Sequence, residues 1–94
     1  MSIKSRKLLD KKVVCEDLTV GEVKEVIIDP SKMKITHLEV ELSKDTSELV
    51  LGTRKGGIIN LLAISALGSI GKTVKLKVKK GQLYIYLKAP KLET

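Results

Sequence analysis

Residues 20–42 read VGEVKEVIIDPSKMKITHLEVEL, two β-branched stretches on either side of a DPSKMK turn. In the second stretch Leu38, Val40 and Leu42 alternate with His37, Glu39 and Glu41. A period of two is that of a strand with one side in the core and the other in water. Asp29 and Pro30 open the turn, because proline fixes φ and an aspartate side chain can accept a bond from the backbone two residues on. Ser31 to Lys34 are polar enough to stay hydrated. The stretch therefore predicts a hairpin with a surface turn and an aliphatic inner side, and Gly21 allows its first strand to bend or bulge.

The rest of the chain is constrained by that reading. Ninety-four residues suffice for one domain, whose core must be compact at this size. Phe and Trp are absent and Tyr84 and Tyr86 are the only aromatics, so the interior is built from Val, Ile and Leu, which favours a small barrel or sandwich. Ser5 to Lys12 suits a short turn or helix, Lys12–Cys15 a first strand ending at Glu16-Asp17, and Ser43 to Glu48 a charged loop. A short apolar run, Leu49 to Leu51, precedes Gly52-Thr53-Arg54-Lys55-Gly56-Gly57, which reads as a mobile loop. That loop carries Arg and Lys but neither Walker spacing nor GxGxxG, so it makes a poor phosphate cradle.

Ile58, Ile59, Leu61 and Leu62 pose a packing problem. A strand hides only alternate side chains, so two of these four must face outward and need a neighbour to cover them. Near the C-terminus, Lys80-Gly81 predicts a two-residue turn with Gly81 at positive φ, which would pair Val78 with Leu83, Leu76 with Ile85 and Val74 with Leu87. The same register would set Lys75 and Lys77 against Tyr86 and Tyr84 on the outer side, making a basic and aromatic surface.

Chemistry-bearing residues are few. His37 and Cys15 are the only histidine and cysteine. General acid–base or nucleophilic catalysis needs a base within reach of a nucleophile, whereas His37 falls on the solvent side of its strand and Cys15 follows two valines as a small core or edge residue. The sequence thus predicts no enzyme, no metal site and no cofactor. No apolar run approaches the roughly 18 residues of a membrane span, and the basic start, MSIKSRKLLDKK, lacks a signal-type apolar core. The expected setting is cytoplasmic. Charge is uneven: residues 1–12 hold five basic and one acidic side chain, residues 13–71 six and nine, and residues 72–94 seven and one. Basic ends and an acidic middle would attract two copies of the chain, or two related proteins, to each other, although they would equally attract nucleic acid or an anionic membrane surface.

Three segments together resemble the PRC-barrel family: Val20-Gly21-Glu22-Val23-Lys24-Glu25-Val26-Ile27-Ile28-Asp29-Pro30, then Lys34-Ile35-Thr36-His37-Leu38-Glu39-Val40-Glu41, then Ile64-Ser65-Ala66-Leu67-Gly68-Ser69-Ile70-Gly71-Lys72-Thr73-Val74. Glu25 stands where that pattern usually has Asp, and Lys72 where an acidic residue often follows the glycine. The resemblance implies a mainly β fold, a small barrel of about six strands with one short helical turn N-capped by Ser65. One domain would span residues 1–94, its core about 8–88, with basic tails. Such domains act mostly as docking modules, and the chain looks most like the stand-alone archaeal members implicated in cell division. The implied function is a non-enzymatic adaptor or scaffold that self-associates as a homodimer or polymer, or with a paralogous PRC-barrel protein. It would be recruited to the membrane by a SepF-like membrane-anchored division adaptor, without inserting there itself. The contact is expected on Ile58, Ile59, Leu61 and Leu62 and on Lys75, Lys77, Tyr84 and Tyr86. The alternative is an RNA- or ribosome-associated factor binding through the basic C-terminal hairpin. Ribosome-linked members carry a second, N-terminal barrel that these 94 residues do not supply.

Overall fold

Strands β2 (Leu18–Asp29) and β3 (Lys34–Leu42) form the hairpin expected of residues 20–42, paired antiparallel from Gly21 opposite Leu42 to Asp29 opposite Lys34. The turn is held as its residues imply: the amide and hydroxyl of Ser31 donate to Asp29 Oδ1 at 2.9 and 2.7 Å. These bonds favour the carboxylate and lower the pKa of Asp29. The computed structural model, which describes residues 8–90, places this hairpin at the middle of a seven-stranded sheet curled into a half-barrel, compatible with a small β-barrel.

The other strands are β1 (Lys12–Cys15), β4 (Ile59–Ala63), β5 (Leu67–Ile70), β6 (Val74–Leu76) and β7 (Leu87–Lys88), in the spatial order β5-β6-β1-β2-β3-β4-β7. β1 joins β2 through the tight Glu16-Asp17 turn, with Glu16 at φ 55°. Their register slips where Val13 and Val14 face Gly21 and Thr19, a bulge at the glycine that allows it. β1 also pairs in parallel with β6, Val13 against Val74. The β1–β2 turn is fastened from outside by Lys80, whose amide donates to Glu16 Oε1 at 2.8 Å and whose ammonium lies 2.5 Å from Asp17 Oδ1.

The concave side holds the core. Val26, Leu38, Leu62 and Leu87 form one cross-strand row of buried side chains, and Val23 and Val40 belong to the next. Leu8, Val13, Cys15, Val20, Leu42, Ala66, Val74 and Leu83 complete an interior with no aromatic ring at its centre. Cys15 is a core residue: its thiol donates to the Val78 carbonyl at 3.0 Å, and burial, more than the nearby Glu16, raises its pKa.

Three local expectations are corrected. Residues expected to form a charged loop and an apolar run make helix α1 (Lys44–Leu51). Ser43 caps it, accepting from the Thr46 amide at 3.2 Å and donating to the Thr19 carbonyl at 2.7 Å, and Gly52 ends it in the left-handed conformation at φ 74°. Ser65 is not an N-cap, because Ile64–Ala66 is a 3-10 turn that starts from Ala63 without a side-chain cap. The C-terminal hairpin does not form. Gly81 is not among the glycines at positive φ; Lys80–Gln82 is a 3-10 turn that runs into a single helical turn, α2 (Leu83–Tyr86), and β7 then pairs with β4. The sheet thus has seven strands where about six are expected, with a few short helical segments. Leu8 to Asp10 do form a turn, while Ser5 to Lys7 and both ends of the basic tails lie outside the described residues.

Candidate functional site

The convex side of β2, β3 and β4 carries what the core does not. Cross-strand pairing sets Ile27, His37 and Ala63 in one row, Glu25, Glu39, Leu61 and Lys88 in a second, and Glu22, Glu41 and Ile59 in a third. The residues alternate with the buried Leu38, Val40 and Leu42 because each strand turns successive side chains to opposite sides. The outcome is a surface on which the half-buried Ile27, Ile59 and Leu61 sit among four carboxylates. Lys24 answers part of that charge, its ammonium 3.3 Å from Glu22 and 3.8 Å from Asp10, and its pKa is raised first by the bond to Glu22.

Of the eight residues expected at a contact, Ile59 and Leu61 lie on this surface. Ile58 packs against the core and Leu62 is wholly buried within it, so the division of the four apolar residues into two inward and two outward holds. Tyr84 is exposed, with Ile85, on α2, which leads into β7 at the same edge of the sheet as β4. Tyr86 packs against the core. Lys75 lies on β6 and Lys77 immediately follows it, at the opposite side of the sheet order. The basic and aromatic surface is thus corrected: no cross-strand pairing joins these lysines to the tyrosines, because the hairpin that would have joined them is absent.

His37 occupies the middle of the convex side, between Ile27 and Ala63, with Nδ1 3.0 Å from Thr36 Oγ1. Burial, and secondarily the Lys88 ammonium, depress its pKa. A base that resists protonation in the fold stabilises it above the unfolded-chain pKa of about 6.5 and loses that contribution as pH falls through the lower folded value. Acidification below pH 6 should therefore lower the melting temperature of the wild type more than that of His37→Gln; parallel pH profiles would contradict this.

Among the described residues, no three His, Cys, Asp or Glu side chains gather as a metal-binding group. Arg54, one of the two cations of the glycine-rich loop, is drawn back onto α1 by Asp45 at 2.6 Å and Glu48 at 4.0 Å. Among the described residues no helix is long and apolar enough to cross a membrane. No protein-family model and no curated protein matches the chain.

Proposed function

We propose that the protein is a non-enzymatic protein–protein interaction module whose contact surface is the convex side of β2, β3 and β4. The observation that supports it is the placing of Ile59 and Leu61, apolar and outward-facing, directly opposite Glu41 and Glu39. Apolar side chains ringed by carboxylates suit a partner that brings its own apolar residues and positive charge. A second copy meets that requirement, since residues 72–94 hold seven basic side chains and one acidic one. Such a head-to-tail contact closes as a ring or continues as a filament, according to its rotation.

The resemblance to stand-alone archaeal PRC-barrel proteins extends the proposal to cell division. There the module would act as a scaffold recruited to the division site by a SepF-like membrane-anchored adaptor, alone or with a paralogous PRC-barrel protein. The RNA-associated alternative loses support, because the C-terminal hairpin that would have set Tyr84 and Tyr86 against Lys77 and Lys75 does not form. Size-exclusion chromatography of the protein mixed with the SepF-like adaptor tests the extension. Co-elution is expected for the wild type and not for Ile59→Lys/Leu61→Lys; co-elution of both would remove the convex side from that contact.

A further inference from the structure

The turn between β5 and β6 has a different chemistry from the docking surface and lies at the far side of the sheet order. Ser69, Ile70, Gly71, Lys72, Thr73 and Lys75 line a shallow cavity of about 280 Å³ there, and no carboxylate is among them. Two ammonium groups, two hydroxyls and a glycine thus surround one small space. The Gly71 amide donates to the Thr73 carbonyl, and among the described residues no backbone acceptor is found for the amides of Lys72 and Thr73. The Lys11 ammonium bonds the Gly71 carbonyl from the neighbouring segment, bringing a third positive charge to the turn. Neither Lys72 nor Lys75 makes an ion pair among the described residues, whereas Lys24, Arg54 and Lys80 all do.

We propose that this turn binds a phosphate group. Unpaired turn amides and ammonium groups around a small concavity form an anion site of the kind that backbone nests provide, with lysine acting as a point charge. A cavity of about 280 Å³ has room for a terminal phosphate or pyrophosphate. β5 keeps the site open. It is the last strand of the sheet, with Gly68, Ser69 and Ile70 all exposed. The phosphate could be free or the headgroup of a lipid. The proposal rests on the geometry of this turn and does not require the docking surface, although Lys72 and Lys75 belong to the basic segment 72–94 that a second copy would offer to it.

The test is titration of the full chain, labelled with nitrogen-15, with pyrophosphate at physiological salt, beside co-sedimentation with phosphatidylcholine vesicles with and without phosphatidic acid. The expected result is saturable shifts of the amides of residues 69–75, with affinity lowered roughly tenfold in Lys72→Gln/Lys75→Gln. The equally charge-depleted Lys32→Gln/Lys34→Gln, altered at the β2–β3 turn, should stay within about twofold of the wild type. Binding to phosphatidic acid vesicles that needs Lys72 and Lys75, without pyrophosphate binding, would assign the phosphate to a lipid. Shifts spread over the whole surface, equal losses in the two double variants, or binding to neither probe would overturn the proposal. The amide map of the wild type keeps the test decisive if the first double variant fails to fold.

Discussion

Gly21→Ala should unfold the protein at moderate temperature. Gly21 lies in β2 between Val13 of β1 and Leu42 of β3, and a Cβ built on it would stand 2.1 Å from the Glu41 carbonyl oxygen, 2.9 Å from the carbonyl carbon and 3.0 Å from Val40 Cγ1. The first two are backbone atoms of a central strand, so no rotamer change relieves the clash; β2 and β3 must separate. Overpacking of this kind belongs to the severe end of single substitutions, about 3–5 kcal/mol, against a total stability of roughly 5–15 kcal/mol. At about 4–8 °C per kcal/mol for a domain of this size, the melting temperature should fall by some 12–40 °C. Thermal denaturation followed by circular dichroism measures it, and a loss of under about 1 kcal/mol would mean that the two strands do not approach as closely as described.

Leu38→Ala should cost nearly as much, by the opposite mechanism. Leu38 is fully buried in the row Val26, Leu38, Leu62 and Leu87, and truncation there loses apolar burial and leaves a void that its stiff neighbours fill poorly, about 2–5 kcal/mol. Ile59→Ala supplies the internal comparison. Ile59 is as apolar as Leu38 but faces outward opposite Glu41, and its loss should cost under about 1 kcal/mol in the isolated chain. Denaturant titration of both variants checks the sidedness of the sheet. Equal losses would show that the convex side is also core, leaving nothing apolar there for a partner.

The hairpin of residues 20–42 was legible because three signals agree within it: alternation from His37 to Leu42, the Asx-type bond at Asp29, and a glycine at the bulge. The C-terminal segment misled because Val74, Leu76, Leu83, Ile85 and Leu87 alternate just as well. What separates strand from helix there is Ile85, 60% exposed between the buried Leu83 and Leu87, where a strand would turn all three to one side. Pairing also decides it, since β7 gains partners from β4, a long-range choice that local pattern does not encode. Helix α1 did announce its ends, with Ser43 before it, Asp45 in its first turn and Gly52 after it. Its buried residues, Thr46 and Ser47, are polar, so no apolar stripe marked the span as helical.

The candidate surface was half legible for the same reason. That two of Ile58, Ile59, Leu61 and Leu62 must face out follows from strand geometry alone. The glutamates beside them belong to β2 and β3, however, and only the register of β3 against β4 brings Glu39 to Leu61 and Glu41 to Ile59. The Lys and Tyr half of the expected contact depended on a turn that does not form, and Tyr86, which packs on the core, is a poor site for a charged substitution.

Light scattering after size-exclusion chromatography, on the wild type and on Ile59→Lys/Leu61→Lys, tests the docking surface most directly. Lysine at these two positions stands opposite Glu41 and Glu39, where cross-strand ion pairs of about 0.2–1 kcal/mol keep the variant folded. The substitutions also remove the apolar contact and cancel the acidic charge. The account predicts a wild type heavier than one 10.3 kDa chain and a folded, monomeric double variant. A wild type that stays monomeric at every concentration, or a double variant that assembles as the wild type does, would contradict it.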